Sequence, residues 1–237
     1  ISAYKVPDPK SYSEAINDPN FQHYWNEAII QEIANLKEYG VYKYEPIQPG
    51  CRPINSHFVF KVKSNSAGLV DRFKARLVAQ GYRQRFGIDY LKTHASVCKL
   101  QTFRAQMAHC ITHDLQHEIG DVKSAYLESD MDPDMPVYIN IPGDNPAPGT
   151  AARLIKSLYG LKQAGHNWYE TIIPLLKQWG FQQSEADPCF LTHVTAPLDY
   201  CTLCLFVDDF SLCSTKKKQS SRNLFWTKLN ELYKTSR

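Results

Sequence analysis

The stretch Cys201-Thr-Leu-Cys-Leu-Phe-Val-Asp-Asp-Phe-Ser-Leu-Cys213 sets two adjacent carboxylates, Asp208 and Asp209, between two apolar runs. Such runs read as paired strands around a tight turn, a place usually taken by Asn, Asp or Gly. Here the aspartates stand side by side with no Gly and no neighbouring Lys or Arg. Two anions at one hairpin tip repel each other unless a cation offsets them, and Mg²⁺ is the natural ion for an all-oxygen site. The alternative is an exposed turn whose aspartates bond only their own backbone.

Working outward, a chain of 237 residues is long enough to bury a sizeable core in one large domain or two small ones. No apolar run approaches the roughly 20 residues of a membrane helix. The start, Ile-Ser-Ala-Tyr-Lys-Val-Pro, has neither an initiator Met nor an apolar signal region, as expected for a piece of a longer product. The seven cysteines lie mostly inside apolar runs, which fits reduced, buried thiols in an intracellular protein. Cys201 and Cys204 have C-x-x-C spacing with His193 near, but a strand would point the two thiols to opposite faces, against a zinc site.

The net charge of +3 hides a polarity. Ten cations from Lys61 to Arg104 stand against Asp71 and Asp89 alone, whereas the eight carboxylates from Asp114 to Asp144 face a single Lys123. A basic stretch followed by an acidic one suits a polyanion on one side and cations on the other, although a patchy solvated surface reads the same way.

Residues 1–20 read as an extended, Pro-punctuated lead-in. Trp25, Ile29, Ile33 and Leu36 recur at helical spacing from Phe21 to Tyr39, where Gly40 stops the helix. Ile54 to Lys63 and Leu69 to Gln80 read as two strands around the turn Asn65-Ser-Ala-Gly68, a basic hairpin. Thr102 to His113 reads as a helix; His109, His113 and His117 follow at metal-ligand spacing but without a Glu partner, and read as surface or packing residues. Gln116 to Val122 enters a strand, and Lys123 to Leu127 turns away from it. Val137 to Ile141 is a short strand, and Gly143 to Thr150 a loop. Ala164 to Trp179 is helical, and Pro174 inside it predicts a kink or a break into two helices. Lys216-Lys-Lys218 introduces a last helix.

A third carboxylate, Asp121, closes the strand before Ser124-Ala-Tyr126. Three carboxylates from two distant strands can hold two Mg²⁺ ions about 3.5–4 Å apart, one to activate a primer hydroxyl and one to stabilise a leaving pyrophosphate. The basic hairpin could clamp the triphosphate.

Four stretches carry a specific resemblance: Phe73-Lys-Ala-Arg-Leu-Val-Ala-Gln-Gly81, Gly120-Asp-Val-Lys-Ser-Ala-Tyr-Leu127, Ser157-Leu-Tyr-Gly-Leu-Lys-Gln163 and Phe206-Val-Asp-Asp209. Their order and spacing resemble the reverse transcriptase of copia-type LTR retrotransposons (Pseudoviridae-like pol polyproteins), over about Tyr12 to Tyr233. The resemblance implies an α+β fold: fingers and palm of a right-hand polymerase, with an antiparallel palm sheet packed on helices. It divides the chain into a lead-in and helix over 1–50, a fingers-like basic hairpin region over 51–105, and a palm over 106–237. The palm would be incomplete at its C-terminus, and 143–180 would add a fingers-like loop and helix.

The same resemblance implies an RNA-directed DNA polymerase adding dNTPs to a primer 3′-hydroxyl in retrotransposon replication. Asp121, Asp208 and Asp209 match its catalytic, metal-binding carboxylates for two Mg²⁺ (or Mn²⁺) ions, with the backbone carbonyl of Val122 assisting. Lys74 and Arg76 match the fingers motif at the triphosphate, and Tyr126 the ring that excludes a ribose 2′-hydroxyl, with a core tyrosine as its alternative. Gly160, placed with the dNTP-binding residues, joins Lys162 and Gln163 in the loop along the template, and Phe206 and Val207 flank the primer terminus. The implied partners are an RNA or DNA template-primer, dNTPs, and the rest of a pol polyprotein with its integrase and RNase H. No membrane partner is implied, and the location would be intracellular, in a virus-like particle or the nucleus. Departures are Gly120 for a large apolar residue, Ser96 for Pro, Pro174, and an end at Arg237 before further palm strands, thumb and RNase H. They keep open a second reading, a catalytically inactive remnant with residual nucleic-acid binding; a different two-metal enzyme, such as a nuclease, would need neither Tyr126 nor the 157–163 loop.

Overall fold

A computed structural model describes residues 2–194, 200–216 and 219–236 of the chain. In chain order the α-helices are α1 (Tyr12–Ile16), α2 (Gln22–Glu38), α3 (Leu100–Thr112), α4 (Ala164–Gln178) and α5 (Gln219–Leu232). The strands are β1 (Tyr42–Pro46), β2 (Ile54–Ser64), β3 (Val70–Ala79), β4 (Leu115–Val122), β5 (Tyr138–Asn140), β6 (Thr150–Leu154), β7 (Gln182–Gln183), β8 (Phe190–His193), β9 (Cys201–Phe206), β10 (Asp209–Thr215) and β11 (Thr235–Ser236). The fold class is α+β. Internal packing divides the chain into two units, Ile1–Thr93 with Ser129–Ala164, and His94–Glu128 with Gly165–Arg237.

The first unit is built on a sheet ordered β1-β6-β5-β2-β3. Strict alternation along β2 buries Ile54, Ser56, Phe58, Phe60 and Val62 and turns His57, Val59, Lys61 and Lys63 outward. At the turn, Gly68 takes φ +73° and Asn65 bonds across to Leu69. Helix α2 buries Trp25 edge-on against Phe60 and Phe73, with ring centroids 5.3 and 4.6 Å apart. The lead-in is not extended throughout: Ser11 accepts from the Glu14 N–H at 3.1 Å and caps the five-residue helix α1. Ser11-x-x-Glu14 is a start signal that the two nearby prolines obscure. Strands β1 and β6 pair with each other and have no periodic signature in the sequence, because Tyr-Lys-Tyr-Glu-Pro and Thr-Ala-Ala-Arg-Leu are short and carry no clean alternation.

The second unit holds a sheet ordered β11-β4-β10-β9-β8-β7, every pairing antiparallel. Its core gathers Val122, Leu203, Leu205, Phe210 and Leu212 from the sheet with Trp168, Ile172 and Leu176 of α4 and Phe225, Trp226 and Leu229 of α5. Pro174 does not break α4, which runs unbroken through it. The proline is exposed while Ile172, Ile173 and Leu176 around it are buried. Pro174 has no N–H to donate to the carbonyl four residues back, at exposed Glu170, and packing on both sides outweighs the lost bond. The start of the final helix at Lys216–Lys218 falls partly outside the described residues, since Lys217 and Lys218 are among those not described.

Gly120, the departure beside Asp121, has a steric reason. A Cβ there would lie 2.6 Å from the Trp226 ring and 2.7 Å from the Ser236 carbonyl oxygen. Trp226 is itself fixed, donating its indole N–H to Glu118 at 2.7 Å, while Glu118 pairs with buried Arg222 at 3.2 Å. The indole of α5 occupies the space that a side chain at 120 would need. Gly120→Ala is therefore expected to destabilise the protein by about 1–3 kcal/mol, the usual cost of overpacking, measurable by urea unfolding. A variant as stable as the parent would show that Trp226 can move aside.

Candidate active site

Strands β9 and β10 join through a two-residue turn, Val207 and Asp208, so that Asp209 opens β10 instead of sharing the turn. Val207 takes φ +59°, a region β-branched residues avoid and one that stores about 1–3 kcal/mol of strain. Two bonds hold it there. The indole N–H of Trp168 donates to the Val207 carbonyl at 2.6 Å, and the Val122 N–H donates to the Asp208 carbonyl at 2.8 Å. The second bond ties the tip directly to the end of β4.

On β4, Asp121 is the register partner of Asp209. The fold thus brings all three predicted carboxylates to one end of one sheet, Asp208 and Asp209 exposed and Asp121 half-buried. The Ser236 hydroxyl donates to Oδ1 of Asp121. Partial burial, and then the charges of Asp208 and Asp121, push the Asp209 carboxyl above its ordinary value. An acid raised in this way costs folding stability above its folded-state pKa, and the cost disappears as pH falls through that value or as a cation binds. Among the described residues no three acidic, His or Cys side chains form a ready-made metal cage. The donor set still fits Mg²⁺ in kind, since it is all oxygen and anionic, and such ions commonly take only one or two protein carboxylates beside substrate phosphates. Val122 is buried, with Thr235 as its register partner.

Residues 39–234 match the family model described as reverse transcriptase (RNA-dependent DNA polymerase). The chain belongs to this reverse transcriptase family. It is 30% identical over 213 residues to the retrovirus-related Pol polyprotein from transposon TNT 1-94 of Nicotiana tabacum, covering 89% of this chain and 16% of that protein. The corresponding protein from transposon RE2 of Arabidopsis thaliana is 32% identical over 184 residues, 76% of this chain and 12% of the relative. The Ty1-BL Gag-Pol polyprotein of Saccharomyces cerevisiae is 33% identical over 202 residues, 81% of this chain and 10% of the relative. The chain thus spans a small part of each relative, and it is a reverse transcriptase domain of the copia type found in retrotransposon Pol polyproteins.

The other predicted site residues fall in both units. In the second, Tyr126 sits half-buried in the short 3₁₀ turn Ala125–Glu128, against the core under the sheet. Phe206 packs edge-on against Phe103, centroids 5.6 Å apart. In the first, Lys74 and Arg76 lie on the outward face of β3, where Lys74 is the register partner of Lys61. Burial, then the charges of Arg76, Arg72 and Lys63, lower the Lys74 pKa, so this face gains from an anion. The Arg76 guanidinium lies 4.0 Å over the Tyr159 ring.

The 157–163 loop is held from within the first unit. Gly160 takes φ +86°, and a Cβ on it would lie 2.2 Å from the Ala79 carbonyl oxygen. Gln163 is buried, its amide bonded to Gln84 at 2.9 Å and to the Asp89 carbonyl at 3.0 Å. Gln84 also accepts from the Lys162 N–H at 2.9 Å. Lys162 itself is exposed, its ammonium 3.1 Å from the Tyr90 hydroxyl.

Other candidate ligands are occupied elsewhere. His109 bonds Tyr200 at 2.9 Å and His117 bonds Ser211 at 2.9 Å, and burial lowers the His117 pKa. All seven cysteines are free thiols, and burial pushes Cys98 up to about 11. Trp168 and Ser236, which hold the tip and Asp121, carried no signal beyond a helical stripe and a position near the chain end.

Proposed function

We propose that this chain is an RNA-directed DNA polymerase domain that adds dNTPs to a primer 3′-hydroxyl. The second unit would be its palm and the first its fingers. The observation that carries this reading is the register of Asp121 with Asp209, beside Asp208, at the end of one antiparallel sheet. Asp121, Asp208 and Asp209 would hold divalent cations, with the Val122 carbonyl as a further ligand. Two Mg²⁺ ions bound there, or Mn²⁺ in their place, would supply charge stabilisation for the attacking hydroxyl and the leaving pyrophosphate.

The chain's own residues do the rest. Lys74 and Arg76 bind the triphosphate, adding an anion where Arg72 and Lys63 crowd Lys74 and Glu32 is the nearby carboxylate. Tyr126 closes the sugar pocket against a 2′-hydroxyl. Gly160 and Lys162 meet the nascent pair and template, with Gln163 fixing their loop through Gln84 and Asp89. Phe206 and Val207 support the primer end, on a tip that Trp168 keeps rigid. The partners would be a template-primer, dNTPs and the remainder of a Pol polyprotein. Among the described residues no helix is long and apolar enough to cross a membrane.

Primer extension on an RNA template with Mg²⁺ tests the proposal, with incorporation expected. No incorporation, with salt-sensitive template binding retained, would favour the remnant reading, which has lost the support of a broken α4. Tyr126→Ala is expected to relax discrimination against ribonucleotides by about tenfold or more, the scale of one steric contact. The readout is the ratio of kcat/KM for dNTP and rNTP, and an unchanged ratio would remove the gate role.

A further inference from the structure

We propose that Ser236 is a positioning residue for Asp121, orienting that carboxylate for a divalent cation; the inference rests on the polymerase reading. Asp121 has two strand neighbours of opposite effect. On one side is Asp209, its register partner on β10, and on the other Ser236, its register partner on β11. A strand side chain has more than one staggered χ1 open to it. Repulsion from Asp209 alone would not select one, whereas a hydroxyl donating to Oδ1 does. A hydroxyl is also the right donor chemically. It fixes the carboxylate without cancelling the charge that a cation needs, which a Lys or Arg at 236 would do.

The surrounding residues are arranged to bring Ser236 there. The Lys123 N–H donates to the Lys234 carbonyl at 2.8 Å, and Thr235 pairs with Val122. Tyr233 packs edge-on against Trp168, centroids 5.4 Å apart, and Trp168 is the residue whose indole holds the Val207 carbonyl. The strand bearing Ser236 and the turn bearing Asp208 are thus anchored on one indole. Gly120 completes the arrangement, because any Cβ there would meet the Ser236 carbonyl oxygen at 2.7 Å. The departure at 120 then has a functional side: it lets the last strand close on Asp121.

The test is Mn²⁺ binding by the full chain without nucleic acid, read from the electron paramagnetic resonance signal of free Mn²⁺. Ser236→Ala should weaken binding about tenfold, at the lower end of what loss of an outer-shell partner costs. Ser236→Thr should restore it to within about twofold, since Ser236 is exposed and a methyl group can be accommodated. The metal-free melting temperature should stay within about 2 °C for both variants, as for surface substitutions. Wild-type Mn²⁺ binding by Ser236→Ala, or failure of Thr to rescue a loss, would overturn the proposal. Asp121→Asn separates the two levels. If it abolishes binding while Ser236→Ala does not weaken it, only the role of Ser236 fails; if it binds Mn²⁺ like the parent, the metal site itself fails, and this inference with it.

Discussion

Gly160→Ala is expected to lower folding stability by about 2–5 kcal/mol, from left-handed strain of about 1–2 kcal/mol plus an overpacking cost of about 1–3 kcal/mol. The added Cβ would fall 2.2 Å from the Ala79 carbonyl oxygen and 2.6 Å from a Val78 methyl. The first of these is backbone and cannot rotate away. It is also held, because the Ala79 N–H donates to the Tyr159 carbonyl at 2.8 Å. On the other side stands Gly81, whose own Cβ would meet the Gly160 carbonyl oxygen at 2.1 Å. Two glycines therefore let the 157–163 loop lie directly on the end of β3, backbone against backbone. For a chain of this size the loss corresponds to a fall in melting temperature of roughly 4–20 °C. Gly87→Ala is the control: it has positive φ of +79° but open space around it, so it should cost only the conformational part. Equal losses at the two positions would show that close approach at Gly160 does not matter.

That glycine shows how far sequence reasoning reached. The motif around Gly160 was legible, and so was the need for glycine; that the close neighbour is the chain's own Ala79 carbonyl was not, because nothing local connects residues 79 and 160. Elements with a clean period were read to within a few residues: α2 from its Trp25-to-Leu36 stripe, and β2–β3 from alternation around Asn65–Gly68. Elements that owe their form to distant partners were not. Strand β1 exists because β6 supplies its hydrogen bonds, and β6 because β1 and β5 flank it. Helix α4 passes Pro174 intact because Ile172, Ile173 and Leu176 are buried around it. At the candidate site the carboxylates were readable from their unpaired anionic character, but the residues that hold them were not. Trp168 reads as one more apolar position on a helix, and Ser236 as a small polar residue near the end. Gly120 read as a departure from pattern, and it becomes intelligible only beside Trp226.

The second large effect is catalytic. Asp208→Asn removes one of the two exposed carboxylates at the tip while keeping size, and the turn stays held by Trp168 and Val122. The change should therefore leave folding near that of the parent. If a cation bound at this site contributes about 4 kcal/mol to stabilising charge in the transition state, losing it costs about 10³-fold in rate. Asp121→Asn should behave alike, and the double variant should lose little more than either single one, because residues that act as a unit are not additive.

Polymerase action at Asp208 is tested most directly by single-turnover incorporation of one dNTP onto a primer annealed to RNA, in Mg²⁺, for the parent chain and Asp208→Asn at matched template-primer occupancy. The parent is expected to incorporate the nucleotide, and the variant to do so about 10³-fold more slowly. Equal rates from the two proteins would contradict it.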